Sequence, residues 1–229
     1  MYSKIFEAFG TSVSDVSLIE QAFTHPSYSE IKGLSHSCCY ERLEFLGDSM
    51  LKLVASEILY TMFPDAKEGE LSKIRSFLIS DKTLADISLE LGFDVFLRLS
   101  ESEEKAGGRK RVSNNACAFE ALLGAFYLLD REAEIKCFLN KVLTPKIDII
   151  CQNFIQYNAK EILQEYTQGI DKTLPVYTVI QEIGPAHSKV FEVEVSYNNK
   201  VLAKGSGKTK KAAQIVAAYN ACLFLNLAK

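Results

Sequence analysis

The stretch Tyr40-Glu41-Arg42-Leu43-Glu44-Phe45-Leu46-Gly47-Asp48-Ser49-Met50-Leu51 sets three carboxylates into an apolar segment. Read as a helix, it advances roughly 100° per residue, which puts Glu44 and Asp48 within about 60° of Glu41 on one face. Leu43, Phe45, Leu46, Met50 and Leu51 fill the rest, so the helix is expected to be buried nearly all round. Carboxylates on such a helix cost free energy unless cations or donors meet them. Spacing alone leaves two readings level: ion pairs with Arg or Lys of neighbouring helices, or a metal site.

A second stretch tips the balance. Asn115-Ala116-Cys117-Ala118-Phe119-Glu120-Ala121-Leu122-Leu123-Gly124-Ala125-Phe126-Tyr127-Leu128 is another apolar helical pattern, with a single carboxylate, Glu120. Packed side by side, the two helices would gather Glu44, Asp48 and Glu120. Oxygen-only clusters suit Mg²⁺ or Mn²⁺ rather than zinc.

Glu41-Arg-Leu-Glu-Phe-Leu-Gly-Asp48 closely resembles the signature of the ribonuclease III family, and Ala116-Cys-Ala-Phe-Glu120-Ala-Leu-Leu-Gly-Ala-Phe-Tyr-Leu resembles that family's second acidic motif. The family's second motif normally reads Ala-Asp-x-Phe-Glu-Ala, and Cys117 stands here where that Asp would be. One turn before Glu120, Cys117 shares its helix face. A thiol is neutral below a pKa of about 8.5 and soft, hence a poor Mg²⁺ ligand that Mn²⁺ tolerates better. Packing as an ordinary core thiol is the other reading of Cys117.

The chain has 229 residues, 48% hydrophobic and 24% charged, as a folded rather than disordered protein does. No uncharged apolar run of about 18 residues predicts a membrane span, and the first ten residues carry an early acid and no apolar core of signal-peptide length. Cysteines at 38, 39, 117, 137, 151 and 222 form no Cys-x-x-Cys pair; most lie in apolar patterns, as reduced core thiols do, which predicts a cytoplasmic location. Residues 1–158 hold 17 Lys and Arg against 23 acids, whereas residues 159–229 hold nine Lys against six. An acidic part joined to a basic part suits a metal-dependent enzyme acting on a polyanion.

In chain order, a first helix is expected over residues 16–23, capped by Ser14 or Asp15. Thr24-His25-Pro26-Ser27-Tyr28 reads as a turn in which His25 satisfies local backbone groups. Residues 31–39 read as a loop, and the signature helix as residues 40–62. Phe63-Pro64-Asp65 breaks that helix. The element Glu68-Gly69-Glu70-Leu71-Ser72-Lys73-Ile74-Arg75 resembles a further family motif, in which an acid at the position of Glu68 helps arrange the metal site; a first-turn acid favoured by the helix dipole is the alternative. Lys73 and Arg75 are expected to face phosphate or solvent. Helices follow over 72–80 and 82–91, split by Ser80-Asp81. Gly107-Gly108-Arg109-Lys110-Arg111 reads as a flexible basic loop reaching phosphates, with Ser113 or Asn114 capping the Glu120 helix. Residues 131–156 supply the last helical turns, with Thr144-Pro145 starting the final segment.

From Asn158 the pattern changes: an amphipathic helix at 160–168, alternating strands around 177–180 and 189–197 with Phe191, Val193 and Val195 on one face, an Asn198-Asn199 turn, a third strand from Val201, and a helix from about Thr209 with Ala212, Ile215, Tyr219, Cys222 and Leu223 inside. This α-β-β-β-α order resembles a double-stranded RNA-binding domain, with Pro185-Ala-His187 and Lys208-Thr-Lys210-Lys211-Ala-Ala-Gln214 matching its most recognisable segments. Such a domain spans about 16 base pairs. Lys208, Lys210 and Lys211 at the start of a helix would meet phosphates, and Gln164 and His187 would reach minor-groove edges or 2′-hydroxyls.

The expected organisation is an all-α endonuclease domain over residues 1–151, a linker at 152–157 and a small α+β RNA-binding domain over 158–229. The resemblance implies a homodimer that cuts both strands of double-stranded RNA to 5′-phosphate and 3′-hydroxyl ends with short 3′ overhangs, in rRNA or mRNA precursor processing. Mg²⁺, with Mn²⁺ as substitute, would be held by Glu44, Asp48 and Glu120, with Glu41 and Glu68 in support, Cys117 at the doubtful position, and no organic cofactor. The alternative is a double-stranded RNA-binding protein whose cleavage Cys117 has weakened or abolished.

Overall fold

The computed structural model describes residues 2–185 and 189–227, without the side chains at 152–154, 156 and 157. It divides into two compact units, Met1–Asp148 and Ile149–Lys229.

The first unit is helical: α1 (Ser3–Phe9), α2 (Ser17–Ala22), α3 (Pro26–Ile31), α4 (Glu41–Met62), α5 (Glu68–Leu78), α6 (Asp81–Glu90), α7 (Glu101–Lys105), α8 (Val112–Leu128) and the start of α9 (Glu132–Asp171). Its centre is α8, where Ala118, Phe119 and Ala121 through Phe126 are buried, and α4, α6 and α2 pack around it. Phe9 joins two helices through stacked rings, 4.0 Å from Phe126 and 4.1 Å from Phe138 between centroids.

Two tight places fix how α4 and α8 cross. A Cβ on Gly47 would lie 1.8 Å from the Glu120 carbonyl oxygen, and one on Gly124 would lie 2.1 Å from that of Leu43. Only hydrogen fits at either position, so the two backbones touch there.

Several expectations are corrected. α4 is not buried all round: Phe45 is 78% exposed, and Leu53 and Tyr60 are exposed with it, because α8 covers only the opposite flank. α1 has no N-terminal side-chain cap and no charge signal, and only Gly10, in the left-handed conformation at its C-terminus, marks its end. α2 starts at Ser17, whose N–H donates to Asp15 Oδ1 at 2.9 Å. The turn at His25 opens a helix: His25 caps α3, its Nδ1 accepting the Ser27 N–H at 3.1 Å. Ser80 caps α6 as expected, but neither Ser113 nor Asn114 caps α8; both lie inside the helix, and Asn114 is buried with its amide donating to Glu103 and to the Gly108 carbonyl.

Arg75 does not simply face solvent, since its guanidinium donates to Ser56 Oγ at 2.7 Å. Nor is the basic loop free: Arg109 makes a fork-like pair with Glu104, Lys110 bonds Asp94 at 2.7 Å, and Arg111 pairs with Glu103. Carboxylates of α7 and of the turn at Asp94 thus use those cations internally. Pro145 starts no new segment; α9 runs through it, held by Leu139, Leu143 and Ile147, all fully buried at four-residue steps. The stretch expected as a linker, 152–157, is helical backbone inside α9. The six cysteines form no disulfide with one another, and only Cys39 and Cys222 are buried; Cys38 and Cys137 are exposed, so most are not core thiols.

The second unit carries β1 (Val176–Ile183), β2 (Val190–Tyr197) and β3 (Lys200–Gly207) as an antiparallel sheet in sequential order, with α10 (Lys210–Phe224) on it. Asn198 and Asn199 both take positive φ in the β2–β3 turn. The inner stripe of α10 differs from the expected one. Ala213, Ala217, Ala218, Ala221 and Cys222 are buried, while Leu223 is exposed. β3 explains the shift: a Cβ on Gly205 would lie 2.2 Å from the Ala217 nitrogen, and one on Gly207 would lie 2.6 Å from that of Ala213. α10 rests directly on the strand backbone, so only alanine-sized side chains fit beneath it.

Candidate active site and nucleic-acid interface

The acids converge because of the two glycines. Gly47 sits between Glu44 and Asp48 on α4, and its partner in the crossing is the Glu120 carbonyl on α8. Glu44, Asp48 and Glu120 are all half-buried. Burial is the main cause that pushes the Glu120 carboxyl up to about 8, followed by the charges of Asp48, Glu44 and Asp81, with Lys52 opposing. Glu44 is raised as well, first by burial and then by Glu41, Asp81 and Asp48. Asp48 has one cation of its own, Lys52 Nζ at 2.6 Å on the next turn.

Asp81 is the residue that sequence reasoning missed. It is the first residue of α6, and its charge acts on Glu44, Cys117 and Glu120 together. In the sequence it reads only as part of a helix start, because the packing of α6 on α8 that aims it at the cluster is tertiary.

Cys117 is half-buried beside the Glu44 carboxylate, and its thiol acts to lower the Glu44 pKa against the other influences. The Tyr40 phenol is raised chiefly by burial. Burial and the negative charges of Glu44, Glu120 and Asp81 push the Cys117 thiol up to about 12. At neutral pH it is an uncharged donor beside Glu44, not a thiolate.

Two sequence-predicted supporting acids stand apart. Glu41 is exposed and meets His36 and Cys39 instead. Glu68 begins α5, accepts from Ser72 Oγ at 2.8 Å, and lines a hollow with Ser56, Tyr60 and Arg75, two to three turns along α4 from Asp48.

The residues present fit a hard divalent cation. Burial and negative neighbours that raise the Glu44 and Glu120 carboxyls are an arrangement that such a cation relieves. The ligand atoms of Glu44, Asp48 and Glu120 do not all lie within 4.8 Å of one another among the described residues.

In the second unit, Lys208, Lys210, Lys211 and Gln164 are exposed. Thr209 caps α10, its Oγ1 accepting the Ala212 N–H at 3.1 Å. Lys210 lies over the Phe191 ring and 3.5 Å from Glu182. His187 lies outside the described residues. No helix of the described residues is long and apolar enough to cross a membrane.

The Ribonuclease-III-like family model matches residues 15–147, and the double-stranded RNA binding motif matches residues 159–225. The chain is 42% identical to Ribonuclease 3 of Streptococcus gordonii over 219 residues, covering 95% of this chain and 93% of that protein. It is 43% identical to Ribonuclease 3 of Streptococcus uberis over 215 residues, covering 93% of each. Among solved structures, a nuclease domain of ribonuclease III from Campylobacter jejuni aligns with a TM-score of 0.56 at 32% identity, covering 63% of this chain and 99% of that one. The acid-bearing helices crossing at paired glycines, the three-stranded sheet under its basic helix and these near full-length matches agree: the chain belongs to the ribonuclease III family.

Proposed function

We propose that the chain is a metal-dependent endonuclease of double-stranded RNA that leaves 5′-phosphate and 3′-hydroxyl ends with short 3′ overhangs, in the processing of rRNA and mRNA precursors. The observation that carries this reading is the convergence of Glu44, Asp48 and Glu120 across the Gly47–Gly124 crossing, with the like-charge stress it creates. Mg²⁺, or Mn²⁺ in its place, would supply an activated water and charge neutralisation at the leaving oxygen. Glu44, Asp48 and Glu120 would hold the metal, directly or through water. Asp81 adds negative charge from a third helix. The uncharged Cys117 thiol lies beside Glu44 and adds no negative charge to the cluster. Nothing in the site calls for a nucleophilic side chain or an organic cofactor.

Residues 1–151 form the cleaving part in this reading and residues 158–229 the duplex-binding part. Phe45, 78% exposed beside a hollow lined by Leu18, Leu43, Leu46 and Leu128, supports a homodimer. So does the solved Campylobacter jejuni relative, described by a region involved in dimer formation. Two active sites would then cut opposite strands. The free thiols support a cytoplasmic location.

The second reading, a duplex-binding protein without cleavage, is favoured by Cys117 alone. Cys117→Asp tests its weight. A fourth carboxylate beside Glu44 should shift the dependence of cleavage rate on Mg²⁺ to lower concentration. An unchanged curve would mean that position 117 has no bearing on the metal.

The binding part has its own test. Replacing Lys210 and Lys211 by Ala should weaken duplex affinity regardless of sequence and flatten its salt dependence by about two phosphate contacts' worth. Equal salt slopes for variant and wild type would remove α10 from the phosphate interface.

A further inference from the structure

A short turn ahead of α4 and the first residue of that helix bring an imidazole, a thiol and a carboxylate together. His36–Cys38 is a 3-10 turn, in which residues i and i+3 eclipse one another, so His36 and Cys39 stack. Cys39 Sγ lies 3.0 Å from the His36 carbonyl oxygen and 3.8 Å from His36 Nδ1. Glu41, the first residue of α4, completes the group: its Oε2 lies 3.2 Å from His36 Nε2 and 3.6 Å from Cys39 Sγ. One ligand atom from each residue falls within 4.8 Å of the other two.

We infer that His36, Cys39 and Glu41 form a second metal site, distinct from the acidic cluster, for a borderline-soft divalent cation of the Zn²⁺ class. Imidazole, thiolate and carboxylate together select such an ion over Mg²⁺, which prefers oxygen alone. For bonds of about 2.0–2.3 Å, tetrahedral geometry sets ligand atoms roughly 3.3–3.6 Å apart; Glu41 Oε2 already lies at 3.2 Å from His36 Nε2 and 3.6 Å from Cys39 Sγ, and the third separation is within 4.8 Å. Three protein ligands leave a fourth position for water, and His36 and Glu41 keep the site open, with side chains 81% and 45% exposed. Cys39, 1% exposed, forms its inner wall.

The turn is braced from outside the group. Gln21 Nε2 donates to the Ser37 carbonyl at 3.0 Å and to that of Cys39 at 3.2 Å, and the Tyr40 N–H donates to the Thr24 carbonyl. The backbone that carries the ligands is therefore set before an ion arrives. Binding replaces the thiol proton with the metal, so a proton is released on loading.

The full chain, freed of metal and titrated with Co²⁺ as the probe, tests the inference. The Cys117→Ser background removes the thiol beside the acidic cluster. The expected result is a sulfur-to-cobalt charge-transfer band that saturates at one equivalent, is displaced by Zn²⁺ and is indifferent to Mg²⁺. Cys39→Ser should abolish the band, and His36→Gln, an exposed change that leaves the core intact, should weaken Co²⁺ binding at least ~10-fold. Cys38→Ser and Glu120→Gln should leave the band unchanged. Absence of the band, its survival in Cys39→Ser, or an unaltered affinity in His36→Gln would overturn the site. Loss of the band in Glu120→Gln would place the ion in the acidic cluster and overturn it equally. None of these readouts depends on cleavage, so the inference stands or falls apart from the proposed activity.

Discussion

Gly47→Ala is expected to destabilise the first unit by about 3 kcal/mol or more, lowering Tm by roughly 10 °C. The added methyl carbon would lie 1.8 Å from the Glu120 carbonyl oxygen and 2.8 Å from the Gly124 nitrogen, both backbone atoms of a fully packed helix. No rotamer change relieves such an overlap, so α4 and α8 must separate. The same separation moves Glu44 and Asp48 away from Glu120, and cleavage should fall along with stability. Gly69→Ala is the control. It has nothing within 4 Å of the added carbon and lies near the start of α5, so it should be neutral or mildly stabilising. Thermal unfolding of the two variants side by side decides the point. Equal melting temperatures would mean that the crossing is looser than the close approach requires.

Glu120→Gln should have the opposite effect on stability and the larger effect on activity. The folded-state pKa of Glu120, about 8, lies above its ordinary 4.5. Between those values the unfolded chain has released the proton and the folded chain still holds it, so metal-free stability falls as pH rises through that window. Below about 4.5 the penalty is absent; above about 8 it is complete. Gln carries no charge at any of these pH values. In EDTA the variant should therefore melt a few degrees above wild type at pH 8.5, by about 3 °C, and at the same temperature near pH 4.5. Mg²⁺ should raise the wild-type Tm at pH 8.5 more than it raises the variant's. Cleavage should drop by at least about 100-fold while duplex affinity stays within a factor of about two. A variant that melts below wild type at pH 8.5 in EDTA would show that Glu120 is stabilised by its surroundings rather than stressed by them.

The parts of this chain that could be read from sequence are those written in local periodicity. α4 and α8 announce their acid-bearing faces, and β2 and β3 alternate clearly enough to be placed within a residue, whereas β1 runs three residues past its expected end. What escaped reading depends on contacts between distant residues. Asp81 looks like a helix-start acid until α6 is packed against α8. The cations at 109, 110 and 111 look free until Asp94, Glu103 and Glu104 fold back onto them. The inner face of α10 was misplaced because Gly205 and Gly207 on β3, not the hydrophobicity of α10 itself, decide which side chains fit underneath. Glu41 shares a face with Glu44 by spacing, yet its partners come from the turn before it, where His36 and Cys39 are set by a 3-10 rather than an α-helical repeat.

The central claim is that half-buried acids on α4 and α8 make this chain a metal-dependent nuclease of duplex RNA despite Cys117. The most direct measurement is cleavage of a long RNA duplex by wild type and by Glu120→Gln at equal protein concentration, in Mg²⁺ and then in Mn²⁺. The account predicts wild-type products bearing 5′-phosphate and 3′-hydroxyl ends, at a rate at least as high in Mn²⁺ as in Mg²⁺, and none above background from Glu120→Gln. Intact duplex in both metals with wild type, or equal rates for the two proteins, would contradict it.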